Sequence, residues 1–145
     1  MSVRLHFNRS DEWPAACPPE PLLRAAALAA LESSGERQGE VSFTFVPIDE
    51  IESLNARFLG REGPTDVIAF DLGEEGRLLG DVYIAPAVAS SNAVARGEEV
   101  EREVLRLVIH GALHVIGMNH PEGPARETGP MWQLQEELLR CLPDG

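Results

Sequence analysis

Lysine is absent from this 145-residue chain, whose 12 basic residues are all arginine and are outnumbered by 24 acidic residues. The formal net charge of −12 argues against a broad electrostatic grip on nucleic acid, because proteins that bind phosphate backbones usually gather many cations on one face. Any nucleic-acid site in this protein must therefore be small and local, made of a few arginines or a metal ion.

Cysteine and long apolar segments are also scarce. Cys17 and Cys141 stand near opposite ends of the chain and form no C-x-x-C pair, so we expect two free thiols; a disulfide joining the two ends is the alternative. The opening residues MSVRLHFNRS lack the pattern of a signal peptide, and the apolar run AAALAAL is too short to span a bilayer. We therefore expect a cytoplasmic protein that does not bind membranes.

The chain contains no internal repeat and no low-complexity block, so residues 1–145 are predicted to form a single α+β domain. Apolar alternation and apolar runs predict strands at 3–7, 41–46, 66–70 and 78–85, the last two joined as a hairpin. Helical periodicity predicts helices at 21–34, 49–59, 86–96, 98–116 and 127–142. The resulting order, β-α-β-α-β-β-α-α-α, predicts one mixed four-stranded sheet with about five helices packed on it.

Three of the four histidines stand in the segment HGALHVIGMNH, residues 110–120. His110 and His114 are four residues apart on a predicted helix, so both rings can reach one metal ion. Gly117 suits the left-handed residue that ends a helix, and the turn there would return His120 to the same point. Three imidazoles with an open fourth position are typical of catalytic zinc. We predict one Zn²⁺ per chain, although nickel, copper or iron accept the same ligands.

The same spacing, H-x-x-x-H-x-x-G-x-x-H, makes this a metzincin-like three-histidine metal site. In metzincin proteases the residue after the first histidine is a glutamate that acts as general base. Here that residue is Gly111. A peptidase would have to find its base elsewhere, so a metal-dependent hydrolase of peptides or of another substrate is only our third hypothesis.

The histidine segment resembles the H-G-x-L-H-x-x-G-x-D-H signature of the YbeY-type single-strand endoribonucleases, bacterial factors in rRNA maturation and ribosome quality control. Residues 54–70, LNARFLGREGPTDVIAF, resemble that family's L-N-x-x-Y-R…P-T-D-V-L-S-F segment, and LLGDVYIA resembles its L-G-D-I-x-I strand. Glu103 and Met131 also stand where the family tends to have them. The resemblance covers about residues 40–142. It implies a zinc-dependent endoribonuclease that acts on single-stranded RNA or rRNA, together with ribosomal or ribosome-associated proteins, and not on DNA.

The chain departs from the family pattern at two positions. Asn119 replaces the aspartate before the third histidine and can still accept a hydrogen bond. Leu59 replaces an arginine that matters for RNA handling in the family, and Arg61 or Arg57 could substitute for it. Arg61, in a glycine-rich stretch, could bind a phosphate with both guanidinium nitrogens; a solvated arginine is the alternative. Our second hypothesis is therefore a metal-bearing ribosome assembly factor with little nuclease activity.

For catalysis the sequence indicates no group beyond a metal-bound water, whose pKa zinc lowers toward ~7. The resulting hydroxide could attack phosphorus, or the ion could polarise a phosphoryl oxygen while a 2′-hydroxyl attacks. Glu103 lies seven residues before His110, on nearly the same helical face. It could orient a metal ligand by a hydrogen bond on the side away from the metal, or it could interact with a cation. A partly exposed glutamate without either role is the alternative. Met131 and Trp132 are predicted to be core residues.

Overall fold

The computed structural model describes residues 2–9, 17–33, 35, 38–74, 76–118, 127 and 129–143. Their elements, in chain order, are β1 (Ser2–Arg9), α1 (Glu20–Glu32), β2 (Gln38–Phe45), α2 (Ile48–Leu59), β3 (Val67–Asp71), β4 (Leu78–Ile84), α3 (Pro86–Arg96), α4 (Val100–Val115) and α5 (Pro130–Arg140). The predicted order of strands and helices is confirmed, and each predicted element overlaps an observed one.

The strands form one mixed sheet in the order β1-β2-β4-β3. The pairs β1–β2 and β2–β4 are parallel, whereas the edge strand β3 runs antiparallel to β4. The two parallel pairs need crossover connections, which α1 and the α2–β3 segment provide. The β3–β4 pair is a hairpin, closed by a bridge between Glu74 and Arg77. The predicted α+β class with a mixed four-stranded sheet is therefore confirmed.

The sheet separates two apolar clusters of different size, because successive strand residues point to opposite faces. Helices α1 and α4 contribute to the main core together with inward residues of the strands, and α5 packs on both of them. Helix α2 covers part of the other face through a smaller cluster built around Ile51 and Ile68. The histidine-bearing helix α4 thus lies within the larger core.

Two glycines allow α4 to approach β4 closely. A Cβ placed on Gly111 would lie 2.5 Å from Cγ1 of Val82, and one placed on Gly80 would lie 2.5 Å from Cγ1 of Val115. Carbon atoms normally pack at about 3.5–4.0 Å. The close approach explains why glycine follows His110: position 111 faces the sheet, and a glutamate there would meet β4.

Helix α4 ends as the sequence predicted. Gly117 has φ of 97°, in the left-handed region that glycine tolerates best. The N–H of Met118 donates to the carbonyl of Leu113 at 3.0 Å, and the N–H of Gly117 donates to that of His114 at 2.9 Å. These bonds close the helix with a left-handed turn. None of the helices in the described residues has both the length and the apolar character needed to cross a membrane.

Two aromatic side chains, Phe58 and Trp132, lie at or near the surface. Phe58 is 55% exposed and contacts Phe70 edge to face. Trp132 is only half-buried, with the guanidinium groups of Arg96 and Arg106 over its ring at 5.2 and 5.9 Å. The prediction of Trp132 as a core residue was therefore wrong, because two cations take the place of apolar neighbours. Met131, at 2% exposure, is a core residue as predicted.

Candidate functional site

His110 and His114 stand side by side near the C-terminal end of α4. Their ring centroids are 4.8 Å apart, with an angle of 75° between the ring planes. His110 is almost fully buried and His114 is half-buried. The spacing of four residues, which brings two side chains to one face of a helix, therefore does bring these imidazoles together.

The ring of His110 is held by Gln135 of α5. Nδ1 of His110 lies 2.7 Å from Oε1 of Gln135, and Nε2 of Gln135 donates to Oε2 of Glu136 at 3.1 Å. Because the amide nitrogen faces a carboxylate, the amide oxygen must be the atom that faces His110, and it can only accept. Nδ1 of His110 therefore donates, and in the neutral ring the lone pair lies on Nε2. Such an imidazole is ready to bind a metal ion through Nε2.

A buried ion cluster around Arg106 lies behind this pair. Nε and Nη2 of Arg106 each donate to a carboxylate oxygen of Glu136 at 2.9 Å, and Nη1 donates to Glu103. Glu98 also accepts from Nη2, at 3.1 Å. Burial alone would raise the pKa of Glu136, but the hydrogen bonds from Arg106 and Gln135 and the nearby cationic charges outweigh it, so that pKa is lowered. Burial alone would lower the pKa of Arg106, but its hydrogen bonds to Glu136 and Glu103 and their negative charges outweigh burial, so that pKa is raised.

Glu103 has a more specific environment than an ordinary helical glutamate. It is 1% exposed, so the alternative of a partly exposed glutamate is wrong. Its carboxylate accepts from Arg106 and, at 3.0 Å, from Nδ2 of Asn92. Nε of Arg96 lies 3.7 Å away. Glu103 therefore interacts with cations, as one of the two functional alternatives proposed; an orienting role toward a metal ligand stays a prediction.

The loop that carries Arg61 is held by hydrogen bonds at both ends. Buried Asn55 donates from Nδ2 to the carbonyl of Gly63 at 3.0 Å. Asp66, at the far end, accepts at 3.1 Å from the same amide of Asn92 that bonds Glu103 on α4. The exposed Arg61 thus belongs to a loop whose position is fixed relative to the histidine helix.

The third predicted ligand, His120, and Asn119 before it lie outside the described residues. Within those residues, no set of three or more His, Cys, Asp or Glu side chains is arranged to hold a metal ion. The two predicted ligands that the structure describes nevertheless fit a metal ion: adjacent imidazoles, one of them with its Nδ1–H engaged, form a usual pair of zinc ligands.

The two thiols are free, as predicted. Cys17 is buried, and burial raises the pKa of its thiol to about 11. Cys141 is exposed. Neither thiol therefore forms a disulfide that cross-links the fold.

Residues 20–142 match the profile of a family described as Endoribonuclease YbeY. A relative from Salinispora tropica that bears this name is 37% identical, over 79% of this chain and 82% of its own length. One from Lysinibacillus sphaericus with the same name is 37% identical over 98% and 97%. A solution structure of a Thermotoga maritima protein superposes with a TM-score of 0.59 at 28% identity, covering 95% of this chain and 87% of that one.

These matches and the paired histidines place the protein in a class of α+β nucleases whose histidine motif begins on a helix of the core. The chain belongs to the YbeY endoribonuclease family. The resemblance expected from the sequence motifs is thereby confirmed.

Gln135 was not among the residues predicted to belong to the site. Met131, Gln135 and Leu139 follow one another at intervals of four on α5, and all three are buried. A polar residue within an apolar helical stripe must find a buried partner, and this was the signal that could have identified it. Its partner, His110, is 25 residues away in the chain, so no local spacing pointed to it.

Proposed function

We propose that this protein is an endoribonuclease that cleaves single-stranded RNA during rRNA maturation and that it requires one Zn²⁺ held by His110, His114 and His120. The observation that supports the metal site is the adjacent pair His110–His114, with Nδ1–H of His110 engaged by Gln135. When bound, such an ion supplies Lewis-acid stabilisation of a phosphodiester and activates a water molecule. The RNA substrate is supported by the names of the relatives.

The protein's own residues would then have separate tasks. His110 and His114 bind the ion, and Gln135 fixes the ring of His110. Gly111 contributes no base, since its position faces Val82 of the sheet. Arg61, on its anchored loop, is the cation we assign to a substrate phosphate. Arg57 is the other candidate named from the sequence; its guanidinium lies over the exposed ring of Phe58, 5.6 Å from the centroid.

The acidic surface constrains how RNA is bound. A net charge of −12 repels the phosphate backbone at long range, so affinity must come from the metal and one or two arginines. We infer that ribosomal or ribosome-associated proteins bring the enzyme to its substrate. The dependence of RNA affinity on salt should accordingly be shallow, since few counterions are displaced.

A second candidate function is favoured by Leu59. This residue is the last of α2 and is 45% exposed, at the position where the family motif carries an arginine. A metal-bearing ribosome assembly factor with little nuclease activity would tolerate this replacement. The two functions differ in whether the purified protein turns over RNA.

The experiment is cleavage of an end-labelled single-stranded rRNA fragment, with the matching duplex as comparison. We expect wild-type protein to cleave the single strand and His114→Ala to lose this activity. His6→Ala is the matched control, because His6 is exposed on β1 and pairs with Glu40 at 3.5 Å; it should retain full activity. Equal cleavage by all three proteins would contradict the proposal, and no cleavage by a zinc-loaded wild type would favour the assembly factor.

The same assay tests the phosphate contact. Arg61→Ala should weaken apparent RNA binding by about tenfold, as expected when a charged hydrogen bond of about 1.5 kcal/mol is lost. Arg57→Ala should have little effect. If Arg57→Ala weakened RNA binding more than Arg61→Ala, the phosphate contact would have to be assigned to Arg57 instead.

A further inference from the structure

Gln135 belongs to a chain of hydrogen bonds that extends beyond its contact with the predicted metal ligand His110. The amide is 1% exposed, and it links His110, at 4% exposure, to the carboxylate of Glu136. Glu136 in turn is bound by two nitrogens of Arg106, itself 4% exposed. The chain therefore runs from the buried guanidinium through the partly buried carboxylate of Glu136 and the buried amide to the imidazole of His110.

We propose that Gln135 is a positioning residue that selects the Nδ1–H form of His110 and thereby makes Nε2 the metal-binding nitrogen, and that Arg106 sets the orientation of Gln135 through Glu136. This inference rests on the proposed metal centre for its functional meaning. Its physical content, the tautomer of His110, can be measured without any metal.

The orientation of the amide follows from the fork between Arg106 and Glu136. Two parallel hydrogen bonds hold the carboxylate in one plane, a geometry specific to arginine. Oε2 of Glu136 then accepts from Nε2 of Gln135 at 3.1 Å. Turning the amide over would place its oxygen against Oε2 of Glu136 and would present an amide N–H to Nδ1 of His110, which would then have to accept. The ion pair thus determines which end of Gln135 faces the histidine.

Glutamine suits this position better than glutamate. The side chain must accept from an N–H and donate to a carboxylate at the same time; an amide does both, whereas an ionised carboxylate only accepts. A glutamate at 135 could still accept from His110, but its second oxygen would face Glu136, and like charges in a buried site repel. A neutral acceptor also adds no negative charge directly to the histidine.

The first test is the state of His110 in metal-free protein labelled with ¹⁵N-histidine. Long-range ¹H–¹⁵N correlation at a pH where the ring is neutral distinguishes the two tautomers by the shifts of their ring nitrogens. We expect Nδ1 of His110 to be protonated and Nε2 to be unprotonated. An Nε2–H tautomer in wild-type protein would overturn the inference, and this measurement needs no variant to fold.

The second test is zinc affinity, measured by competition with a chromophoric chelator. Gln135→Met removes both polar functions at similar volume and should weaken zinc binding about 10–100-fold, the usual effect of losing such a partner. Gln135→Glu should give a smaller loss, because the contact with His110 survives. Glu137→Met is the control: the residue lies exposed on the same helix, and its change should leave both the tautomer and the zinc affinity as in wild type.

The outcomes separate this inference from the proposed function. If wild type binds zinc and folded Gln135→Met binds it equally tightly, the positioning role is wrong although the metal centre stands. If wild type shows the Nδ1–H form but binds no zinc, the metal centre is wrong while tautomer selection by Gln135 stands. Glu136→Gln should lower the Nδ1–H preference with Gln135 intact; an unchanged preference would remove Arg106 and Glu136 from the chain.

Discussion

Replacement of Gly111 by alanine tests the close packing that places the histidine helix on the sheet. The added Cβ would lie 2.5 Å from Cγ1 and 3.2 Å from Cγ2 of Val82, so the helix must move or Val82 must rotate. Overpacking of this kind costs about 1–3 kcal/mol, whereas alanine in a helix interior gains about 1 kcal/mol over glycine. The net expectation is a loss of about 0–2 kcal/mol in the free energy of unfolding.

The effect of Gly111→Ala on the free energy of unfolding should change sign when Val82 is replaced by alanine. In Val82→Ala protein both Cγ atoms are absent, and the nearest remaining atom of residue 82, Cβ, lies at an ordinary 3.4 Å. Gly111→Ala should then be stabilising by about 1 kcal/mol, the helix-propensity term alone. Val82→Ala destabilises by itself through the cavity it leaves, so the comparison is made within each background.

Urea unfolding of the four proteins, followed by circular dichroism, gives the coupling between the two sites. We expect a coupling energy of about 1–3 kcal/mol. If Gly111→Ala has the same effect in both backgrounds, the helix does not lie on β4 as described, and the explanation for glycine after His110 fails.

Three further predictions concern the ion cluster and the thiols. Arg106→Met should destabilise by about 3–5 kcal/mol in urea unfolding, because it removes the buried cation that pairs with Glu103 and Glu136 and leaves the buried Glu103 with Arg96, at 3.7 Å, as its nearest cation; a loss below about 1 kcal/mol would contradict a buried cluster. The lowered pKa of Glu136 stabilises the fold above the carboxyl's ordinary pKa of 4.5, and this contribution is lost as pH falls through the folded-state pKa. Glu136→Gln should therefore show a weaker acid dependence of stability than wild type; identical pH profiles would refute the shift. With iodoacetamide at pH 8, Cys141 should be alkylated rapidly and Cys17 only on unfolding, as mass spectrometry of each peptide would show; equal rates would contradict the burial of Cys17.

Local patterns predicted most of the architecture. The order of elements followed from apolar alternation and helical periodicity, and the helix Pro86–Arg96 has the predicted bounds. The adjacency of His110 and His114 followed from their spacing within one helix, which does not depend on the rest of the fold. Gly117 was predicted to be left-handed, since a helix that must turn sharply has few other residues to use.

The rest depended on contacts between distant segments. An arginine is almost never fully buried unless it is paired, and Arg106 is buried because carboxylates from α4, α5 and the segment before α4 surround it. Phe58 follows the apolar face of α2, but that face covers only part of the sheet, so its ring remains exposed. The role of Gln135 could be recognised only when α5 was placed against α4.

The central claim is that the histidine segment holds one catalytic metal ion. It is tested most directly by elemental analysis of wild-type, His114→Ala and His6→Ala proteins purified without chelators, each then assayed on single-stranded rRNA fragments. We predict about one zinc per chain and cleavage in wild type and His6→Ala, and neither in His114→Ala. Wild-type protein that contains no metal, or His114→Ala protein that keeps both metal and activity, would contradict the claim.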